Sequence, residues 1–253
     1  MTAPRAARAV LRLAVLMAGA GLAAPAPESG YGLPRDVSVD GFRIDELIHF
    51  TLAAITVIFV VVAAALIWSF VNHRRDRPAF YSHGSGRSIG VVVGGVAAIL
   101  VGVDGYLFVH TLGDMHGYFW NFPRAEAAEG AVRIEVNAHQ WSWHARYAGV
   151  DGKFGTPDDI VSVDDLKVPV GVPVIVQLAS TDVIHSMYLP NFRVKQDAVP
   201  GRTIAIWFTP DKEGTYQIAC AQLCGTGHYT MRGNVTVESQ AAFDQWLQQQ
   251  AAH

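Results

Sequence analysis

Apolar residues are spread unevenly along this chain, and their pattern changes character twice. Residues 47–71 form a continuous apolar run with Trp68 near one end, and residues 89–112 form a second. Each is long enough to cross a bilayer as a helix, and Trp68 of the first stands where an interfacial aromatic would lie, so together they predict a helical hairpin. A shorter apolar stretch comes first: Arg5, Arg8 and Arg12 stand ahead of or beside it, and small residues close it near Ala18 to Ala24. A basic start, a short apolar centre and a small-residue cleavage site predict a signal peptide over 1–24. From Val132 onward the period drops to two. The stretches 132–136, 160–163, 172–176, 203–208, 216–218 and 234–237 alternate or run apolar between Gly, Pro and Asp, which predicts short strands in a sandwich or barrel. Phe243, Trp246 and Leu247 then recur at helical spacing, predicting a closing amphipathic helix over 240–250.

These segments divide the chain into a signal peptide (1–24), an N-terminal segment (25–46), a membrane hairpin (47–112) and an exported all-β domain (113–253). Orientation follows from charge. Arg74, Arg75, Arg77 and Arg87 lie between the spans, whereas Asp36, Asp40, Asp45 and Glu46 precede the first. By the positive-inside rule the connection is cytoplasmic and both termini are outside, which in a bacterium is the periplasmic face of the inner membrane. The net charge of −3 argues against nucleic acid as a partner. Asp104 falls inside the second span, and a carboxylate there is costly enough to be a candidate functional residue.

The densest chemistry lies in Cys220-Ala-Gln-Leu-Cys224-Gly-Thr-Gly-His228-Tyr-Thr-Met231, which holds both cysteines of the chain. Thiolate, imidazole and thioether are soft donors that select copper over hard cations. Two thiolates could bridge a pair of copper ions sharing one unpaired electron. A disulfide between Cys220 and Cys224 would leave His228 and Met231 without a role, and structural zinc sites rarely use Met. One more strong donor is needed, and His185 offers it, following the apolar stretch 172–178. Upstream, Trp141, Trp143 and Tyr147 stand at odd spacing, placing three aromatics on one face of a strand, where a core or interface is the plain reading. The acidic stretch Asp151 to Asp159 fails the EF-hand spacing; with Asp164 and Asp165 it would form either an acidic docking surface beside Trp141 or a solvated loop.

The segments D-V-I-H-S-M-Y-L-P and C-A-Q-L-C-G-T-G-H-Y-T-M resemble subunit II of the cytochrome c oxidases, and the similarity extends from the first span to the C-terminus. The resemblance implies a cupredoxin-like β-barrel carrying a dinuclear copper centre (CuA). Its ligands would be His185, Cys220, Cys224, His228, Met231 and the backbone carbonyl of Gln222. Trp141 matches the surface residue through which electrons arrive from cytochrome c in that family. The implied function is to receive those electrons and pass them to haem in a haem-copper subunit I, with subunit III as a further partner, for the reduction of oxygen to water.

Several positions depart from the family, among them Ser142, which stands where the family has a Tyr between the two tryptophans. Gln222 stands where most members have Glu, a carboxylate that binds magnesium at the boundary with subunit I. Gly86-Arg87-Ser88-Ile89 stands where many members begin the second span with a Glu at a proton-channel mouth. A nitric oxide reductase of the same superfamily is therefore an alternative setting for the same role. A membrane-tethered copper-binding protein is another, although it leaves Trp141 unexplained. Cys-x-x-Cys-His is absent, so the chain carries no covalent haem site of its own and the donor is a separate protein.

Overall fold

A computed structural model of the chain describes residues 32–72 and 86–251. The signal-peptide expectation and most of the basic connection between the spans lie outside the described residues. Two units are resolved, a helical one built from residues 45–113 and a β unit that also takes in residues up to Ile44.

The helical unit contains α1 (Phe42–Asn72) and α2 (Arg87–Asp114). Neither has a buried face: Phe59 is 70% exposed, Phe70 85% and Val101 76%. A helix that is apolar all round and unburied suits hydrocarbon rather than water. Its hydroxyls are satisfied within the helix, since Thr51 and Thr56 donate to the carbonyls of Leu47 and Leu52 at 2.7 Å, as an apolar medium requires. The two helices meet where the rings of Phe50 and Tyr106 lie 4.2 Å apart. The first helix begins five residues before the apolar run, at Phe42. Polar Arg43, Asp45 and Glu46 precede the apolar run and belong to the same helix.

Ten strands make the β unit. One sheet has the order β3-β2-β1-β5-β8 and the other β4-β10-β9-β6-β7. The first contains β1 (Val132–His139), β2 (Ser142–Tyr147), β3 (Ile160–Val163), β5 (Val174–Ser180) and β8 (Ile204–Phe208); the second contains β4 (Asp165–Pro169), β6 (His185–Leu189), β7 (Val194–Ala198), β9 (Gly214–Cys220) and β10 (Arg232–Glu238). Each sheet is mixed, because β1 runs parallel to β5 and β4 parallel to β10. The strand period is visible in β1, where Ile134, Val136 and Ala138 are buried while their neighbours are not. The inner faces of both sheets close over one core that includes Ile134, Trp143, Leu166, Leu178, Leu189, Phe192, Ile218 and Val235. Helix α4 (Gln240–Ala251) covers one end, with Phe243 buried and Trp246 edge-on to Tyr147 at 5.0 Å. Between α2 and β1 lie a wide turn over Met115–Phe119 and the short helix α3 (Phe122–Glu126).

The segment before α1 is stitched to the β unit. Val37 is fully buried, its N–H donates to the carbonyl of Asn191, and the Asp211 N–H donates to its carbonyl. Arg43 bonds Asp114 at 3.2 Å and stacks 3.3 Å above the ring of Tyr118. The acidic stretch 151–159 joins β2 to β3, at the opposite end of β2 from Trp141, roughly 20 Å away at strand rise. Its carboxylates bind loop groups instead: Asp158 takes the Thr156 hydroxyl at 2.7 Å and Asp159 the Gly155 N–H at 2.7 Å. Asp164, which accepts the Trp143 N–H at 2.8 Å, and its neighbour Asp165 follow the end of β3 that lies toward the tryptophan.

Candidate metal centre

Strand pairing assembles the site. Met187 of β6 lies opposite Cys220 of β9, so His185 at the start of β6 and Cys220 at the end of β9 reach the same edge of the sheet. The chain then loops from Ala221 to Met231 and returns as β10, antiparallel to β9. The Cys220 N–H donates to the Met231 carbonyl and the Ala221 N–H to that of Ser186, which locks both ends of the loop to rigid strands.

Within this frame the donor atoms converge. The two sulfurs lie 3.7 Å apart and both cysteines are free thiols. His185 Nδ1 is 3.1 Å from Met231 Sδ and 4.0 Å from Cys220 Sγ. On the other side His228 Nδ1 is 3.5 Å from Cys224 Sγ, and the Gln222 carbonyl is 3.2 Å from Cys220 Sγ. Cys224 Sγ and Met231 Sδ are 3.8 Å apart. The pair of sulfurs therefore has a histidine and a weak donor on each flank, a thioether on one and a carbonyl on the other. His185, Met231 and Cys224 are buried, whereas Cys220 and His228 are partly exposed and Gln222 is exposed. Burial and the neighbouring thiol push Cys224 up to about 11, so without a cation this sulfur stays protonated at neutral pH and a bound metal must displace its proton.

Donor atoms of His185, Cys220 and Cys224 lie within 4.8 Å of one another, the Gln222 carbonyl, His228 and Met231 each come within 3.8 Å of one of the sulfurs, and two residues that the sequence did not single out support the loop. Asp182 Oδ1 accepts from His185 Nε2 at 2.8 Å, leaving Nδ1 to face the sulfurs. The same carboxylate takes the N–H groups of Val183 and Gln140, both at 2.6 Å. Its partial burial favours the neutral acid, but these hydrogen bonds win and hold its pKa to about 2. Gln140 is the second: its Nε2 donates to the Cys224 carbonyl at 2.7 Å. The Asp three residues before His185 was the available signal, since an aspartate at a strand end commonly bonds nearby backbone.

Trp141 sits in the β1–β2 turn, 39% exposed, and its Nε1 donates to the same Cys224 carbonyl at 3.3 Å. A Cβ on Gly227 would lie 2.4 Å from the indole, and one on Gly225 would lie 2.7 Å from Gln140 Nε2. These glycines therefore admit the close approach of the tryptophan as well as shaping the loop. Trp143 and Tyr147 are core residues, each 2% exposed. Asp104, on α2, is exposed and has no hydrogen-bond or ion-pair partner among the described residues.

Fold and donors together define a membrane-anchored, cupredoxin-like domain with a soft-metal loop between two strands. Comparison with known proteins sharpens that class. Residues 132–239 match the family model for the periplasmic domain of cytochrome c oxidase subunit II. The chain is 34% identical over 237 residues to the alternative cytochrome c oxidase subunit 2 of Bradyrhizobium diazoefficiens, covering 82% of this chain and 80% of that protein. It is 30% identical over 236 residues to cytochrome c oxidase subunit 2 of Cereibacter sphaeroides, covering 81% and 74%. Among solved structures, the periplasmic domain of subunit II of cytochrome oxidase of Bradyrhizobium japonicum shares 31% identity, covering 48% of this chain and 94% of that one, with a TM-score of 0.43. The chain belongs to the cytochrome c oxidase subunit II family, and its relatives are subunits of an oxidoreductase.

Proposed function

We propose that the chain is the electron-accepting subunit of a haem-copper oxidase, with two copper ions held by His185, Cys220, Cys224, His228, Met231 and the Gln222 carbonyl. The observation that carries this reading is the pair of sulfurs 3.7 Å apart with an imidazole on each flank. When bound, such a copper pair supplies one-electron exchange with small changes in bond length. The protein's part is to hold the donors still: rigid strands fix both loop ends, and Asp182 fixes the tautomer and direction of His185.

Trp141 is the surface residue that would meet the donor, cytochrome c. Its indole is joined by one hydrogen bond to the Cys224 carbonyl, and a few covalent bonds separate that carbonyl from the sulfur. The apolar side chains of Leu223 and Tyr229, 75% and 76% exposed, flank the same loop and suit a docking face. Electrons would leave toward haem in subunit I, with subunit III completing the complex, and oxygen would be reduced to water there. The β unit would then lie on the periplasmic side of the inner membrane, both spans packing against the catalytic subunit. Asp104, without a partner among the described residues, would find one there; an Asp104→Leu variant that assembles and turns over normally would remove that role.

Metal analysis and electron spin resonance test the centre. Two coppers per chain and a spectrum of one electron shared by two nuclei are expected, and one copper with a single-nucleus hyperfine pattern would reject it. The absence of an acid at Gly86 to Ile89 keeps a nitric oxide reductase as the second setting. Oxygen against nitric oxide consumption by the purified complex decides between them.

A further inference from the structure

The outer face of the β1–β2 hairpin carries a second cluster of donors that the copper loop does not use. His139 ends β1 and His144 lies in β2, two residues beyond its start. Their Nε2 atoms approach to 2.6 Å. Ser142 Oγ, from the register partner of His139, lies 3.2 Å from the first ring nitrogen and 3.1 Å from the second. All three side chains are only partly exposed. His139 and His144 border a cavity of ≈ 390 Å³, together with Asn137, Gln177 and Thr181. Asn137 is the register partner of His144, and its buried Oδ1 has no hydrogen-bond partner among the described residues.

At 2.6 Å only one proton fits between two ring nitrogens, so both rings cannot be charged on that side. Burial and then the adjacent His139 hold His144 below the ordinary imidazole value, with Asp164 opposing them weakly. The other charged groups at the cavity, Glu135 and Arg146, are paired with each other at 3.4 Å and do not neutralise the rings. The shared proton leaves at least one ring nitrogen lone pair at the contact free to act as a donor. Two nitrogens and an oxygen at these separations form a small triangle. A point about 2.1 Å from all three, the bond length of zinc to imidazole or oxygen, exists just outside its plane.

We propose that His139, His144 and Ser142 form a binding site for one divalent transition-metal ion of the zinc or copper(II) class, distinct from the cysteine loop. Imidazole is the donor these ions prefer, and the absence of sulfur excludes the soft selectivity of the other centre. Water fills the remaining positions from the cavity. Occupancy would staple β1 to β2 on either side of the turn that carries Gln140 and Trp141.

The test is zinc uptake by the full-length, copper-loaded chain. Equilibrium dialysis should find one zinc per native chain that binds at least about tenfold more weakly in His139→Gln and His144→Asn. Losing even an outer partner of a metal ligand costs 10- to 100-fold. An unchanged copper absorption spectrum shows that the variants are folded. Equal zinc affinity in native and His144→Asn chains overturns the site, as does no uptake by the native chain at millimolar zinc, which leaves the rings as a proton-sharing brace. X-ray absorption at the zinc edge of the native protein needs no variant: imidazole and oxygen are expected, and sulfur in the shell would overturn the assignment. The readout is a difference at one imidazole, so it stands or falls independently of what the cysteine loop holds.

Discussion

Asp182→Asn is the substitution that separates a designed metal support from an incidental turn. The carboxylate accepts from His185 and Val183 on Oδ1 and from Gln140 on Oδ2. An amide has one oxygen to offer. If that oxygen serves His185 and Val183, the NH2 group faces the Gln140 N–H, donor against donor; the reverse orientation strands two donors. Leaving such a bond unmade costs about 1–3 kcal/mol. The side chain is 29% exposed, so water relieves part of the loss and about 1–2 kcal/mol is the expected cost.

Metal affinity should fall as well, because the charge that holds His185 with Nδ1 inward is gone. Outer partners of ligating histidines are worth 10- to 100-fold in affinity. A chelator-competition titration on the purified chain, followed by the thiolate–copper absorption, should therefore shift its midpoint by at least about tenfold. Electron uptake should also slow, since Gln140 and Trp141 share the turn that loses its anchor. The folded pKa of Asp182 is depressed to about 2, so its contribution is present above the ordinary aspartate range and is lost as pH falls toward 2. An Asn variant with unchanged chelator midpoint and unchanged uptake would refute the reasoning.

Other perturbations reach different parts of the molecule. Gly227→Ala adds a Cβ that would sit 2.4 Å from the Trp141 ring; its backbone φ of −88° tolerates alanine, so the indole must lift. We expect a cost of about 1–3 kcal/mol, red-shifted tryptophan emission and slower uptake, with the copper spectrum retained; unshifted emission would show that the loop yields instead. Tyr147 is pushed far above the ordinary tyrosine value by burial, so stability should decline as pH rises past about 10, where the unfolded chain ionises first. Tyr147→Phe should abolish that decline while costing the bonds to Lys167 at 2.8 and 2.9 Å; an identical alkaline limb in the variant would assign it elsewhere. At Gln222 a neutral amide replaces the acid that hard cations favour, so manganese supplied during growth should give no stoichiometric spin-resonance signal at the subunit boundary, and such a signal bound by Gln222 would overturn this.

Local chemistry made much of this protein legible in its sequence. The two membrane-length helices are long apolar runs, and the cysteine loop is a run of rare, soft side chains, so neither depended on knowing the fold. Strands with a clean period, such as 160–163, fell where expected, whereas β6, β7 and β4 are short and mixed in polarity. Asp197 and Lys195 on β7 look like loop residues, and only pairing with β6 makes them strand. Trp141 shows the same limit. Odd spacing placed it on one face with Trp143 and Tyr147, yet it precedes β2 and lies over the glycines of a loop that follows it by more than eighty residues. The sequence leaves Asp151 to Asp159 open between a docking surface beside Trp141 and a solvated loop, because it does not say which end of β2 they occupy; the fold puts them at the far end.

One short turn draws these features together. Residues 139–144 place Trp141 on the Cys224 carbonyl, Gln140 between that carbonyl and Asp182, and His139 against His144 beside the turn. A shift in the turn must alter the tryptophan contact and the support of His185 together, because Gln140, next to Trp141, bonds both the Cys224 carbonyl and Asp182. Substitutions at Gln140 and Asp182 should therefore be non-additive in copper affinity, as expected for residues in one hydrogen-bond network. Trp141 is attached by a single bond at 3.3 Å, so its removal should slow uptake with little effect on affinity. The split between those two readouts distinguishes the residue that meets the electron donor from the residues that hold the metal.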